Sequence, residues 1–230
     1  MRYTTLLFDL DHTLLDSDRS EIDAYAHSMR TIGLDDPDLH FERYVTINRE
    51  LWRAVETGNL QPHDVRHRRF ERFITELDLD ADAHAMADAF VWGLGQFGEL
   101  YPGTRDVLES LAGQVTLAMV TNGLSEVQRA RIERLGIGEL FDTVIISSEV
   151  GVTKPRSQIF DLAFAALGEP DRATALMIGD SLTSDIAGGH GYGIDTCWYN
   201  PHGYARGHGV THEISRLADL EPIVVEGPEA

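Results

Sequence analysis

Four short segments place acids, amides or a lysine where they could act together on an anionic group beside a metal ion. The first is Phe8-Asp9-Leu10-Asp11-His12-Thr13-Leu14. On an extended strand Asp9 and Asp11 would project to the same side, so two carboxylates would meet at a strand end with no basic neighbour in sequence. Like charges that close need a cation to hold both ionised, or one of them must keep a proton. Two solvated turn aspartates are the plain alternative, disfavoured because an apolar run leads into the pair. The second segment, Met119-Val120-Thr121-Asn122-Gly123, offers a hydroxyl, an amide and the free N–H groups of a helix start, which suit a phosphate oxygen or serve only as a helix cap.

The third segment, Gly151-Val152-Thr153-Lys154-Pro155, carries the chain's single lysine; the other basic residues are arginines. A chain that otherwise uses arginine keeps a lysine where a compact point charge on a flexible stem is needed. The fourth, Met177-Ile178-Gly179-Asp180-Ser181-Leu182-Thr183-Ser184-Asp185, ends an apolar run in Asp180, with Asp185 in the helix that follows. Asp180 suits a small hard cation such as Mg²⁺, whereas Asp185 reads either as a second acid of that site or as a first-turn residue favoured by the helix dipole.

These residues need strands to deliver them. Short apolar runs at Tyr3 to Phe8, Val115 to Val120, Thr143 to Ser147, Ala175 to Ile178 and Ile194 to Tyr199 predict buried strands, each ending in or near a polar residue. Helical patterns lie between them, at Ser125 to Leu135, from Pro155 to about Leu167, and at Leu182 to His190. That alternation predicts an α/β fold with a doubly wound, parallel, Rossmann-like sheet. Residues 16–98 break the alternation. Breaks at Gly33 to Pro37, Gly58 to Pro62 and Leu77 to Asp82 divide them into about four helices, expected to form a cap domain over a core made of 1–15 and 99–230. Tyr101-Pro102-Gly103 lies in the hinge between them, and an insertion leaving from the strand ends would cover a site there.

Composition narrows the partners. Over 230 residues, Lys+Arg number 19 against 38 Asp+Glu, a net charge of −19, so nucleic acid and anionic membranes would be repelled. Abundant acids with one lysine suggest a halophilic protein, since concentrated salt screens such self-repulsion. Cys197 is the only cysteine and lies in the run Thr196-Cys197-Trp198-Tyr199, so it reads as a core residue of a reducing compartment. With no apolar stretch long enough for a membrane span or signal peptide, a soluble cytoplasmic protein is expected, monomer or homodimer.

Taken in order, Asp-x-Asp-x-Thr, Thr-Asn-Gly, Lys-Pro and Gly-Asp-x-x-x-x-Asp at successive strand ends resemble the haloacid dehalogenase superfamily of Asp-nucleophile phosphatases, over essentially the whole chain. The resemblance implies Asp9 as nucleophile and Asp11 as acid and base. It implies Mg²⁺ held by Asp9, the Asp11 backbone carbonyl and Asp180, with Asp185 supporting the shell directly or through water or Lys154. It also implies Thr121, the Asn122 backbone and Lys154 around the phosphoryl group. Many members carry Gly where His12 stands, and His12 is given no role. The superfamily's dehalogenases lack an acid at the position of Asp11, which favours phosphate esters over haloacids.

Within that superfamily, Asn48-Arg49-Glu50-Leu51-Trp52 through Gly58, His67-Arg68-Arg69-Phe70-Glu71, Ser148-Glu149-Val150-Gly151-Val152 and Thr196-Cys197-Trp198-Tyr199-Asn200 are similar to the bacterial pyrimidine 5'-nucleotidase branch. A nucleoside 5'-monophosphate is the implied substrate, with phosphoglycolate, a small sugar phosphate, a 2-haloacid or a phospho-accepting regulatory role as alternatives. Other features read as structural. Gly93-Leu94-Gly95-Gln96-Phe97-Gly98 has dinucleotide-loop spacing but follows a helical pattern. Asp78 to Asp82 opens like a calcium loop, yet Ala83 and Ala89 stand where Gly and an acid are required. His202, His208 and His212 lie in a Gly-rich loop without a carboxylate at ligand spacing. Arg66, Arg68 and Arg69 either steer an anionic substrate or pair with cap acids.

Overall fold

A computed structural model describes residues 1–36 and 38–226. The Pro37 end of the first expected cap break, and 227–230 of the expected core segment, fall outside the described residues. Six strands form one sheet: β1 (Thr5–Phe8), β2 (Thr116–Thr121), β3 (Thr143–Ile146), β4 (Ala175–Gly179), β5 (Asp195–Tyr199) and β6 (His212–Ile214). All pairings are parallel and the order is β3-β2-β1-β4-β5-β6. The chain winds outward from β1 to β3, returns to lay β4 beside β1, then winds outward the other way. That reversal places the ligand crevice at the carboxyl ends of β1 and β4.

Strand alternation builds two apolar layers. Leu6, Phe8, Leu117, Met119, Leu176 and Ile178 share one cluster with Val107, Leu108, Leu111, Ile132, Leu135 and Val224. Leu7, Ala118, Val120, Ala175 and Met177 share the other with Ile159, Phe160, Ala163 and Phe164. Both faces are therefore covered, which is why these strands read as continuous apolar runs.

Four helices lie between β1 and the residues leading to β2: α1 (Ser17–Thr31), α2 (Phe41–Glu56), α3 (Pro62–Leu77) and α4 (Ala83–Gln96). Their common interior is aromatic, with ring centroids of Tyr25 and Tyr44 4.9 Å apart, Phe70 and Phe90 5.3 Å, and Tyr44 and Phe90 5.4 Å. Burying one such ring is worth about 1.5–3 kcal/mol, so this inserted unit has a core of its own. Two chain segments joining it to the sheet run side by side, pairing Leu15 with Leu100, and Tyr101 N–H donates to Leu14 O at 2.9 Å. Gly98 lies in this junction with φ 90, where an added Cβ would fall 2.7 Å from the Ser20 Cβ.

The remaining helices are α5 (Thr104–Leu111), α6 (Ser125–Leu135), α7 (Ser147–Val150), α8 (Ser157–Ala166), α9 (Ala187–Tyr192) and α10 (Leu220–Glu226). The helix expected from Pro155 starts two residues later, because Arg156 N–H first closes a turn onto Thr153 O. The helix expected at Leu182 to His190 is split into a π-helical turn, Leu182–Ile186, followed by α9. No helix among the described residues is long and apolar enough to cross a membrane.

The glycines with dinucleotide-loop spacing serve helix packing instead: a Cβ at Gly93 would lie 2.9 Å from Ala24 Cα of α1, and one at Gly95 would lie 3.0 Å from Ala130 Cβ of α6. Asp82 caps α4, accepting from His84 N–H at 2.8 Å. The loop histidines separate: His212 is buried against Tyr3, His208 faces His190, and His202 faces Tyr204. Arg66 pairs with Asp88 and Glu126, Arg68 pairs with Asp64, and Arg69 turns inward.

Candidate active site

The strand ends bring Asp9, Asp180 and Asp185 together, each offering a carboxylate oxygen within 4.8 Å of the others. Asp9 follows β1 and Asp180 follows β4, its N–H donating to Thr13 Oγ1 at 3.0 Å and its carbonyl accepting from Trp198 Nε1 at 2.7 Å. Asp185 sits on the π-helical turn and accepts from Ser181 N–H at 3.0 Å. A Cβ on Gly179 would fall 2.2 Å from the Asp185 carboxylate, so this glycine is the space into which the acid packs. Two acids on adjacent strand ends and a third on the turn that follows, offering only oxygen, fit a small hard divalent cation.

Lys154 is the cation present among them. Only 1% exposed, it places Nζ 2.6 Å from Asp9 Oδ1 and 2.7 Å from Asp185 Oδ1. Burial works against its charge, but Asp185 and Asp9 outweigh it and hold the ammonium well above its ordinary range. One lysine does not balance three acids. Burial, then Asp185 and Asp180, keep Asp9 well above the usual carboxylate range despite Lys154, and burial with Asp185 pushes Asp180 up to about 8. The cluster therefore favours uptake of a further positive charge.

Asn122 uses its side chain to set Lys154: Nδ2 donates to Lys154 O at 3.0 Å and Oδ1 accepts from Lys154 N–H at 2.9 Å. This double clasp joins the loop after β2 to the loop between α7 and α8. It leaves the Asn122 backbone, not its amide, for any ligand. Thr121 is buried at the end of β2, its hydroxyl accepting from Gln128 Nε2 at 2.9 Å.

Asp11 departs from the same-side arrangement that an extended strand would impose. The strand ends at Phe8, and His12 takes φ 58, a left-handed conformation that glycine adopts at less cost. The Asp11 carboxylate lies outside the three-acid group. Oδ1 accepts from Ser17 Oγ at 2.6 Å and Arg131 Nη1 at 2.7 Å, and Oδ2 accepts from Gln128 Nε2 at 2.6 Å. Burial would raise Asp11, but Arg131 first, then Ser17, His12 and Gln128, hold it below the usual carboxylate range. Arg131 also reaches the inserted helices, donating to Leu94 O at 2.8 Å and Ser20 Oγ at 2.9 Å.

Sequence reasoning did not single out Ser17, Gln128 or Arg131, and it gave Gly179, the glycine of Gly-Asp-x-x-x-x-Asp, no role of its own. Gln128 and Arg131 are three apart on α6, a spacing that puts them on one helix face, and nothing local shows that this face turns inward. Asp9, Asp11, Asn122, Lys154 and Asp180 open onto a cavity of about 620 Å³ whose lining also includes Glu21, Trp52, Glu56, Arg69 and Phe90 of the inserted helices, while Thr121 and Asp185 are fully buried and do not line it.

The chain is 33% identical over 228 residues to pyrimidine 5'-nucleotidase YjjG of Escherichia coli, covering 97% of this chain and 99% of that protein. It is 35% identical over 203 residues to pyrimidine 5'-nucleotidase PynA of Streptococcus pneumoniae, covering 88% and 86%. The magnesium-bound crystal structure of the HAD-hydrolase YfnB of Bacillus subtilis superposes with a TM-score of 0.87 at 34% identity, over 98% of this chain and 100% of that one. The family model for haloacid dehalogenase-like hydrolases matches residues 3–193, and the chain belongs to that family.

Proposed function

We propose that the protein is a Mg²⁺-dependent phosphomonoester hydrolase acting on nucleoside 5'-monophosphates through an aspartyl-phosphate. The supporting observation is Asp9, at a strand end on the cavity floor, joined to Lys154 and gathered with Asp180 and Asp185. Asp9, Asp180 and the Asp11 carbonyl would hold Mg²⁺, with Asp185 beside them; the ion would neutralise charge on the phosphoryl oxygens. In this reading residues 16–98 are the cap, and 1–15 with 99–230 the core.

Asp9 attacks phosphorus, the ester P–O bond breaks, and the departing alkoxide takes a proton from Asp11. Water then attacks the aspartyl-phosphate, Asp11 recovers a proton, and inorganic phosphate leaves. Thr121, the Asn122 backbone and Lys154 hold the phosphoryl group. Ser17, Arg131 and Gln128 donate to both Asp11 oxygens and hold it ionised, so its carboxyl must leave these donors and take up a proton before it can protonate the leaving group. The two nucleotidase relatives support a nucleotide as the ester. The acidic surface is read as an adaptation to concentrated salt.

The test is a release panel with Mg²⁺ in concentrated salt, covering nucleoside monophosphates, phosphoglycolate, sugar phosphates and 2-haloacids. Nucleotides should be the best substrates. Absence of turnover on every nucleotide would sink the substrate assignment, and a persistent aspartyl-phosphate without turnover would indicate a regulatory domain.

A further inference from the structure

The proposed chemistry leaves one buried charge unused. Arg69 is 2% exposed, yet it pairs with no carboxylate among the described residues, unlike its neighbours Arg66 and Arg68. Its Nε donates to Val65 O at 3.2 Å, its Nη1 lies 3.4 Å from the Tyr44 hydroxyl, and its guanidinium sits 4.8 Å from the centroid of the Phe90 ring. Tyr44 in turn donates to Glu21 at 2.8 Å, so Arg69 meets that carboxylate only through a hydroxyl. Nη2 has no acceptor among the described residues, and Arg69 lines the cavity shared with Asp9 and Lys154. That donor is not sealed from solvent, so it is free to bond a ligand oxygen that enters the cavity.

Two kinds of oxygen could serve, an anion or a neutral carbonyl. Glu21, one hydroxyl away from Arg69, and Glu56 would repel a second anionic group placed beside them, though Arg49 and Arg53 also line the cavity. The two carboxylates do not repel a carbonyl. Trp52 of α2, half-buried, adds an aromatic face to the lining, which suits a flat ring, whereas Phe90 is fully buried beneath the Arg69 guanidinium.

We infer that Arg69 is a specificity-determining residue whose Nη2 donates to a carbonyl oxygen of the nucleobase. This rests on the nucleotidase reading above and extends it to a named contact.

The experiment compares uridine 5'-monophosphate with ribose 5-phosphate, which has the same scissile ester but no base, in wild type, R69Q and R69K. R69Q should lose roughly 10- to 100-fold in kcat/KM on the nucleotide, mainly through KM, while ribose 5-phosphate changes by less than about 3-fold. R69K keeps the charge with a different donor geometry and should fall between. If R69Q does not fold, R69K carries the same comparison. Equal losses on both substrates would mean a structural role and overturn the inference. If wild type itself shows no preference for the base-bearing ester, the nucleotidase reading fails first, and the inference with it, before any variant is measured.

Discussion

Lys154 Nζ stands 2.6 Å from Asp9 Oδ1, an ion pair with almost no access to solvent. The same ammonium reaches Asp185 at 2.7 Å. Substituting K154A leaves two buried carboxylates without their cation, a change that costs about 3–5 kcal/mol of stability in comparable sites. It also removes a charge expected to steady the transferring phosphoryl group, so kcat should fall roughly 100- to 1000-fold. K154R should fail nearly as badly, because a planar guanidinium does not fit between carboxylates spaced for an ammonium. Steady-state rates and chemical denaturation measure both, and an active K154R would refute the geometric part.

Asp9 is assigned as nucleophile, and D9N tests this without removing volume. Turnover should drop by roughly 10⁴-fold or more, since an amide cannot form the acyl-phosphate. The fold should survive, because Lys154 keeps Asp185 and one member of a crowded acidic group becomes neutral. Near-native thermal unfolding with no phosphate release is the expected pair of results; measurable turnover would move the nucleophile elsewhere.

Gly179 has no chemistry of its own, yet G179A should damage the site. The new Cβ would occupy a point 2.2 Å from Asp185 Oδ2, within a residue held by Ser181 N–H, so the acid has to move. Moving an acid that supports a metal typically costs 10- to 100-fold in metal affinity, so the Mg²⁺ concentration for half-maximal activity should rise by about that much. Saturating Mg²⁺ should restore most of the rate. A normal Mg²⁺ curve would separate Asp185 from the metal.

The sheet and its acids were legible because parallel strands buried on both faces show as apolar runs, and each run ends in the polar residue it delivers. β6 was not, because His212–Ile214 is a three-residue edge strand holding a histidine and a glutamate. Asp9 and Asp180 could be named from local sequence because each directly follows a strand, and Lys154 because it is the chain's only lysine. Arg131 could not, because it lies 120 positions from Asp11 and its role depends on how α6 turns. Arg69 sat within a basic triplet whose members the fold sends to two environments: Arg66 and Arg68 to surface acids, and Arg69 to the interior.

His212 links the edge strand to the first residues of the chain and makes stability depend on pH. Tyr3 O–H donates to Asp195 at 2.7 Å, so the 2.8 Å contact with His212 Nε2 has the imidazole N–H donating to the phenol oxygen. Burial lowers the His212 pKa, with Arg2 and Arg206 adding to the effect and Asp195 opposing it. A histidine whose folded pKa lies below its unfolded one favours folding in its neutral form. Its contribution is therefore intact above about pH 6.5 and is lost as pH falls through the unfolded and then the folded pKa. H212Q keeps a donor near Tyr3 but does not titrate. The difference in unfolding free energy between wild type and H212Q should shrink as pH drops from about 7 to about 5. A difference that stays constant across that range would show that His212 does not titrate in the folded protein as its surroundings require.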